Sequence, residues 1–357
     1  MYAYKEPLPD PPLPLLVTGV AGVAGYNAFY YFRHRYGAAV IGIRRADNWP
    51  LRDDGIVGVD IDDAAALEWL FQRHRFRAVV HCEGTCKLKS CELDPWLAWR
   101  VNVLGTMNLV DIARRYQARL VHLSIDLVFS GRGNGNLTED APTDPVTVYG
   151  KTMVQTERIV LAEKPDSAVL RISLPMGVSF NGHAGAIDWI QSRFRKGKPA
   201  TLYYDEIRTP TYTDCLNRVL HAALVRPLSG LYHAGGPRAL SLYQIAQIIN
   251  RIGGYPPELL HGCLRHQAGP IPPRAGNVSM NSRRLAEALG FEPFSPWPLE
   301  DAWVPDSRHW HWDRSSDPRG SPKLLAEVLY RNPLLTRLGL PQERVGPRHH
   351  PGRHCHC

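Results

Sequence analysis

Residues 18–25 place Gly19, Gly22 and Gly25 at intervals of three directly behind a short apolar run, Leu13 to Thr18. Glycines in that position let the backbone turn sharply and approach a pyrophosphate closely, and the N–H groups opening the next helix then meet its charge. Val20, Ala21, Val23 and Ala24 fill the turn between them. Tight strand–helix packing without a ligand is the alternative. About twenty residues further on, a site selective for NAD(H) carries an acid; here the second apolar run ends in Arg44-Arg45. A guanidinium pairs bidentately with a 2′-phosphate, so NADP(H) is expected in preference to NAD(H), unless both arginines are solvated strand-end charges. Asp60, Ile61, Asp62 and Asp63 close the third run. One carboxylate there can accept the adenine amino group or, equally well, cap the next helix.

The elements that must position these groups follow from the pattern. Apolar runs at Leu13–Thr18, Ala38–Ile43, Gly55–Ile61, Ala78–His81, Leu120–Ile125 and Ala168–Ile172 alternate with helical stretches after the glycines, at Ala64–Arg75, at Pro95–Tyr116 behind Asp94, and at Val148–Glu163. Fully apolar strands alternating with helices predict a doubly wound, Rossmann-like α/β fold with a parallel sheet covered on both faces. Beyond Pro175 the pattern loosens into a smaller, discontinuous unit. The expected division is an extension at 1–12, a cofactor domain at 13–180 to which 205–235 returns, a substrate domain at 181–204 and 236–300, and a further extension at 301–357. The latter holds one amphipathic helix, Lys323–Tyr330, and an unfolded end, Pro341–Cys357.

At 357 residues and 44% apolar composition the chain has ample core for two or three domains, and disorder is excluded as its main state. The formal charge is +8, but from Asp306 onward nine Lys/Arg face five Asp/Glu, so half of the excess lies in the last stretch. The rest shows no basic stripe interleaved with aromatics, which argues against nucleic acid as a partner. Pro11 to Phe32 carries no charge, yet three Pro, three Gly and Asn27 interrupt it, so a strand, turn and helix are expected rather than a membrane span. Seven Cys without a signal peptide fit a reducing cytoplasm. His81, Cys82, Cys86 and Cys91 lack the spacing of a zinc pair, and the His/Cys-rich tail lacks a partner Cys-x-x-Cys, so no metal is expected.

Val101-Asn102-Val103-Leu104-Gly105-Thr106, Ser124-Ile125-Asp126-Leu127-Val128-Phe129, Glu139-Asp140-Ala141-Pro142, Tyr149-Gly150-Lys151-Thr152 and Arg208-Thr209-Pro210-Thr211 with Arg274 follow the glycine turn in register. Together they resemble the extended short-chain dehydrogenase/reductases, and the dTDP-4-dehydrorhamnose reductases in particular, over roughly Leu13 to Pro298. The resemblance implies NADP(H)-dependent reduction of a 4-keto deoxysugar nucleotide. It places His81, Cys82 and Glu83 where the family has Asn-Ala-Ala beside the cofactor, and Asn102 on the helix that follows. Asp126, Arg208 and Arg274, with Arg171, fall toward the nucleotide sugar, where guanidinium forks suit a diphosphate; each arginine is otherwise a structural ion pair.

In that family a Tyr donates the proton to the carbonyl that receives the hydride, a Ser or Thr shares the hydrogen bond, and a Lys four residues on lowers the Tyr pKa and holds the nicotinamide ribose. Tyr149 is in place. Ile125 stands at the Ser/Thr position, with Ser124 one residue earlier, and Met153 at the Lys position. Lys151 lies about 200° around the helix from Tyr149, and Ser124 faces the other side of its strand unless a bulge restores it. A phenol without a nearby cation keeps a pKa of about 10 and can still donate its proton, so turnover is weakened while both clefts can persist. The alternative is a binding or regulatory protein, like the regulatory subunit of methionine adenosyltransferase in the same family, with a homodimer or an enzyme as partner. An epimerase or dehydratase, which needs the missing groups even more, comes third.

Overall fold

The computed structural model describes residues 8–314 and 320–330. The central sheet has seven strands: β1 (Leu15–Val17), β2 (Val40–Arg44), β3 (Ile56–Gly58), β4 (Ala78–His81), β5 (Arg119–Ile125), β6 (Ala168–Ile172) and β11 (Gly230–Ala234). All neighbours run parallel in the order β11-β6-β5-β4-β1-β2-β3. The order reverses between β1 and β4, which opens a crevice at the carboxyl ends of those strands. Successive residues feed opposite cores: Leu15 and Val17 join one cluster and Leu16 the other. This is why the strands are apolar throughout.

Helices α1 (Val23–Tyr36) and α8 (Thr213–Val225) pack on one face, and α2 (Ala64–His74), α5 (Gly105–Arg115) and α6 (Val148–Glu163) on the other. Two elements differ from the sequence pattern. The stretch expected as one helix from Pro95 to Tyr116 begins as α4 (Pro95–Ala98), capped by Asp94, which accepts from the Leu97 N–H at 2.9 Å. It follows α3 (Leu88–Leu93), widens to a π turn at Trp99–Leu104 and resumes as α5. Wide turns of this kind let a side chain project inward, here Asn102. The third strand stops at Gly58 rather than Ile61 because Asp60 and Asp63 close a turn and Asp63 caps α2, accepting from the Ala66 N–H at 3.0 Å.

Beyond the sheet lie β7 (Pro175–Met176) paired with β10 (Thr211–Tyr212), β9 (Ile207–Arg208) with β12 (Leu240–Ser241), and β8 (Ala200–Tyr203) with β13 (Leu260–Cys263). Strands β8, β12 and β13 pack on α9 (Leu242–Ile252), α7 (Ala186–Arg195) lies against α9 and β8, and α10 (Arg283–Leu289) packs on β11. Ser241 and Gln244 form a capping box that starts α9. The segment after 296 closes over α9. Trp297, fully buried, donates to the Leu329 carbonyl of α11 (Pro322–Tyr330), and Arg251 donates to the Trp310 carbonyl beneath its ring. The unfolded end and the His/Cys-rich tail expected at Pro341–Cys357 lie outside the described residues.

Candidate active site

The glycine turn is built as its spacing requires. Gly19 has φ +68°, and a Cβ there would lie 2.4 Å from the Cys82 carbonyl oxygen; one on Gly25 would lie 2.2 Å from the Gly19 oxygen. Only glycine permits both contacts. Gly22 caps α1 without a side-chain bond and no acid lies in the first turn, so the helix opens with backbone N–H groups and a positive dipole end.

At the end of β2 the two arginines separate. Arg44 is buried and donates to the carbonyls of Leu51, Arg45 and Ala46, so it shapes its own loop and does not serve as a phosphate ligand. Arg45 faces Asp47, Asp60 and Asp62 at 3.5, 3.9 and 3.7 Å, and its buried Nη1 has no hydrogen-bond partner. Arg100 pairs with Asp62 from the π turn at 3.0 Å, a contact, like that of Asp47, with no advance signal in the sequence. Asp60 accepts from the Ala46 N–H at 3.0 Å. Ile61 is a core side chain against Gly105 rather than a cofactor contact.

His81 also belongs to the core. Its Nε2 meets Thr106 Oγ1 at 3.0 Å, and that hydroxyl donates to the Asn102 carbonyl at 2.6 Å, so Nε2 carries the proton. Nδ1 therefore accepts from Thr18, whose oxygen in turn receives the N–H groups of Cys82 and Glu83 at 3.1 Å each. Burial and neighbouring His122 hold His81 well below its ordinary pKa, hence neutral. Asn102, buried, ties the Thr85 backbone to Thr152 on α6 and is a brace rather than a ligand. The Cys82 thiol is pushed up by burial and by Glu83. Glu83 has its own carboxyl raised to about 7, burial being the largest cause, and its Oε2 is buried without a partner.

Tyr149 sits in the first turn of α6, buried, with Thr147 capping the helix through the Gly150 N–H and Glu92 accepting from the Val148 N–H. Its hydroxyl makes no hydrogen bond among the described residues. Burial, then Cys86, Asp126 and Cys91, raise its pKa well above 10; Arg208 opposes them. Met153 is buried one turn on, in the same apolar cluster, and Lys151 is exposed.

Ser124 is not beside Tyr149. β5 runs in unbroken register with β6 through Ile125, so no bulge rotates the hydroxyl, and it donates to Glu157 at 2.5 Å, about 12 Å along α6 from Tyr149. Glu157 also takes both arms of Arg171 at 2.8 Å, and Arg171 reaches His233, so this arginine is a buried ion pair rather than a diphosphate ligand. Asp126 and Arg208, both expected at the substrate, are spent on each other: the carboxylate accepts Nε at 2.6 Å, a second bond from Nη2, and the Ser173 hydroxyl at 2.5 Å. The chain of charges continues through Glu206 to Arg274, whose Nε is 2.8 Å from Glu206. Arg274 borders a cavity of about 360 Å³ lined also by Ser130, Arg132, Val146, Arg265 and His266. The last two and Arg132 stand outside any motif, so only the folded chain brings these side chains together. Among the described residues no group of three His, Cys, Asp or Glu is placed to hold a metal ion, and no helix is long and apolar enough to cross a membrane.

A nicotinamide dinucleotide fits this crevice at the glycine turn, which meets a diphosphate through backbone, and at Arg45, a cation whose Nη1 makes no hydrogen bond and faces Asp62 only at 3.7 Å. Glu83 opposes it.

The geometry agrees with the chain's relatives. The chain is 30% identical to a dTDP-4-dehydrorhamnose reductase of Streptomyces griseus over 79% of its length and 90% of that protein's. It is 26% identical to methionine adenosyltransferase 2 subunit beta of Danio rerio, over 80% and 91%. A solved structure of dTDP-4-dehydrorhamnose reductase from Bacillus anthracis in complex with NADP superposes with a TM-score of 0.66 at 19% identity, covering 79% of this chain and 94% of that one. The model of the RmlD substrate binding domain matches residues 13–299. With the seven-stranded parallel sheet and the glycine turn at its crevice, the chain belongs to the RmlD substrate-binding-domain family.

Proposed function

We propose that the chain is a slow sugar-nucleotide reductase that takes NADP(H) in preference to NAD(H), reduces the keto group of a 4-keto deoxysugar nucleotide, and uses Tyr149 as its proton donor. The observation that carries this reading is a phenol held protonated, with an uncommitted hydroxyl, beside the segments leaving β4 and β5. When bound, the coenzyme supplies the hydride. The turn of Gly19, Val20, Ala21, Gly22, Val23, Ala24 and Gly25 cradles its diphosphate, and Arg45 meets the 2′-phosphate. Arg274, with Arg132 and Arg265, offers planar guanidinium forks to the diphosphate of the sugar nucleotide. Tyr149 gives its proton to the carbonyl oxygen as that oxygen gains charge.

No cation lies where the family's Lys stands, so the resulting phenolate is poorly stabilised, and Ile125 offers no hydrogen bond to the substrate oxygen. Those two side chains favour the second reading, a protein that binds both ligands in a regulatory role without turnover. Titration with NADPH followed by its oxidation in the presence of a dTDP-4-keto-6-deoxysugar separates the two. Slow oxidation abolished by Tyr149→Phe, with NADPH affinity unchanged, supports the reductase. Binding without oxidation in either protein supports the regulatory role.

A further inference from the structure

Glu83 stands beside the glycine turn, where a dinucleotide's diphosphate would bring negative charge. The end of β4 abuts the glycine turn so closely that a Cβ on Gly19 would lie 2.6 Å from the Glu83 nitrogen, and the Glu83 side chain starts from that contact. Its Oε2 is buried and unpartnered. An ionised carboxylate beside the glycine turn would add a negative charge close to a diphosphate held there, and like charges repel.

Resting on the reading that the crevice holds a dinucleotide, we propose that Glu83 is a charge gate: coenzyme enters when this carboxyl is protonated and is repelled when it is ionised. The groups facing it from each neighbouring element are few. The Gly19 peptide from the β1–α1 turn and Arg45 after β2 favour the anion; Asp47 on the same loop and Asp60 after β3 favour the acid. Beside it, Cys82 just after β4 is a protonated thiol and His81 at the end of β4 a neutral imidazole. Beyond Arg45, Asp62 and Arg100 offset each other. Burial tips the balance toward the acid and sets the midpoint at about 7.

The test is calorimetric titration of the purified protein with NADPH between pH 7 and 8.5, a range above the titration of the coenzyme's own 2′-phosphate. With only the protonated fraction competent, the apparent Kd weakens about tenfold by pH 8 relative to the fully protonated protein. Binding then takes up close to one proton, measured by comparing buffers of different ionisation heat. Glu83→Gln keeps the shape and removes the charge; it should bind about tenfold more tightly at pH 8 and lose both the slope and the proton uptake. Glu83→Ala serves as a second neutral variant should the first fold poorly. Equal, pH-independent affinities in wild type and variants overturn the gate and leave the coenzyme site standing. Failure of all three proteins to bind at any pH overturns the coenzyme site and the gate with it.

Discussion

The coenzyme turn and the catalytic corner differ in what they are made of. The turn is backbone: three glycines, a left-handed φ at Gly19 and the uncapped start of α1. The corner around Tyr149 depends on side chains, and there Ile125 and Met153 stand where a hydroxyl and an ammonium would work. The diphosphate cradle, made of main chain, does not depend on which side chains stand at the catalytic corner. A proton-transfer site loses its tuning with a single side chain, while the surrounding apolar cluster still packs.

The contrast can be broken from either side. The largest effect is expected from Gly25→Ala: its Cβ would meet backbone that cannot yield, at 2.2 Å, so coenzyme affinity in a calorimetric titration should fall by at least ~100-fold, with loss of stability. Tyr149→Phe comes next, removing whatever oxidation the wild type shows, by ~10²-fold or more, without touching binding. Rebuilding the corner with Ile125→Thr and Met153→Lys together should raise turnover at least tenfold and shift the pH profile to lower pH, since an ammonium near Tyr149 lowers its pKa. A double variant with no gain would mean that the corner is compromised elsewhere.

Arg45→Ala should narrow the preference for NADPH over NADH by about tenfold, as expected for loss of one charged pair; equal loss for both coenzymes would break that assignment. The last effect concerns stability, not ligand binding. The carboxyl of Glu83 sits at about 7 in the folded chain against 4.5 ordinarily, so the unfolded chain ionises first and the fold loses stability as pH rises from 4.5 to 7. Glu83→Gln should therefore raise the melting temperature by a few degrees at pH 8 and change it little at pH 4.

Much of the scaffold was legible along the chain. The alternation of runs such as Leu15–Val17 and Val40–Arg44 with helices follows from burial of both sheet faces, and the glycine spacing follows from local sterics, so neither needs distant partners. The site was legible only in part. Ser124, Asp126, Arg171 and Arg208 all have the chemistry of ligands, and each is consumed by a partner far away in sequence: Arg208 by Asp126, Arg171 and Ser124 by Glu157. Asn102 and His81 likewise became braces once Thr85, Thr152, Thr18 and Thr106 were brought to them. The third strand ended early because Asp63 caps α2 instead of extending the strand.

What the sequence by itself determined is whatever depends on local backbone freedom and periodicity: the parallel sheet, the glycine turn, and the presence of Tyr149 without its Lys. Which charges remain open to a ligand was decided by tertiary structure alone. A buried ionic group must find a partner or lose its charge, and the partner's identity depends on which distant segments the fold brings within 3 Å or so. Arg45 kept a buried nitrogen without a hydrogen bond, with only longer ion-pair contacts, and Glu83 a buried oxygen without one, so those two residues, rather than the arginines on β6 and β9, carry the charge that a ligand in the coenzyme crevice meets.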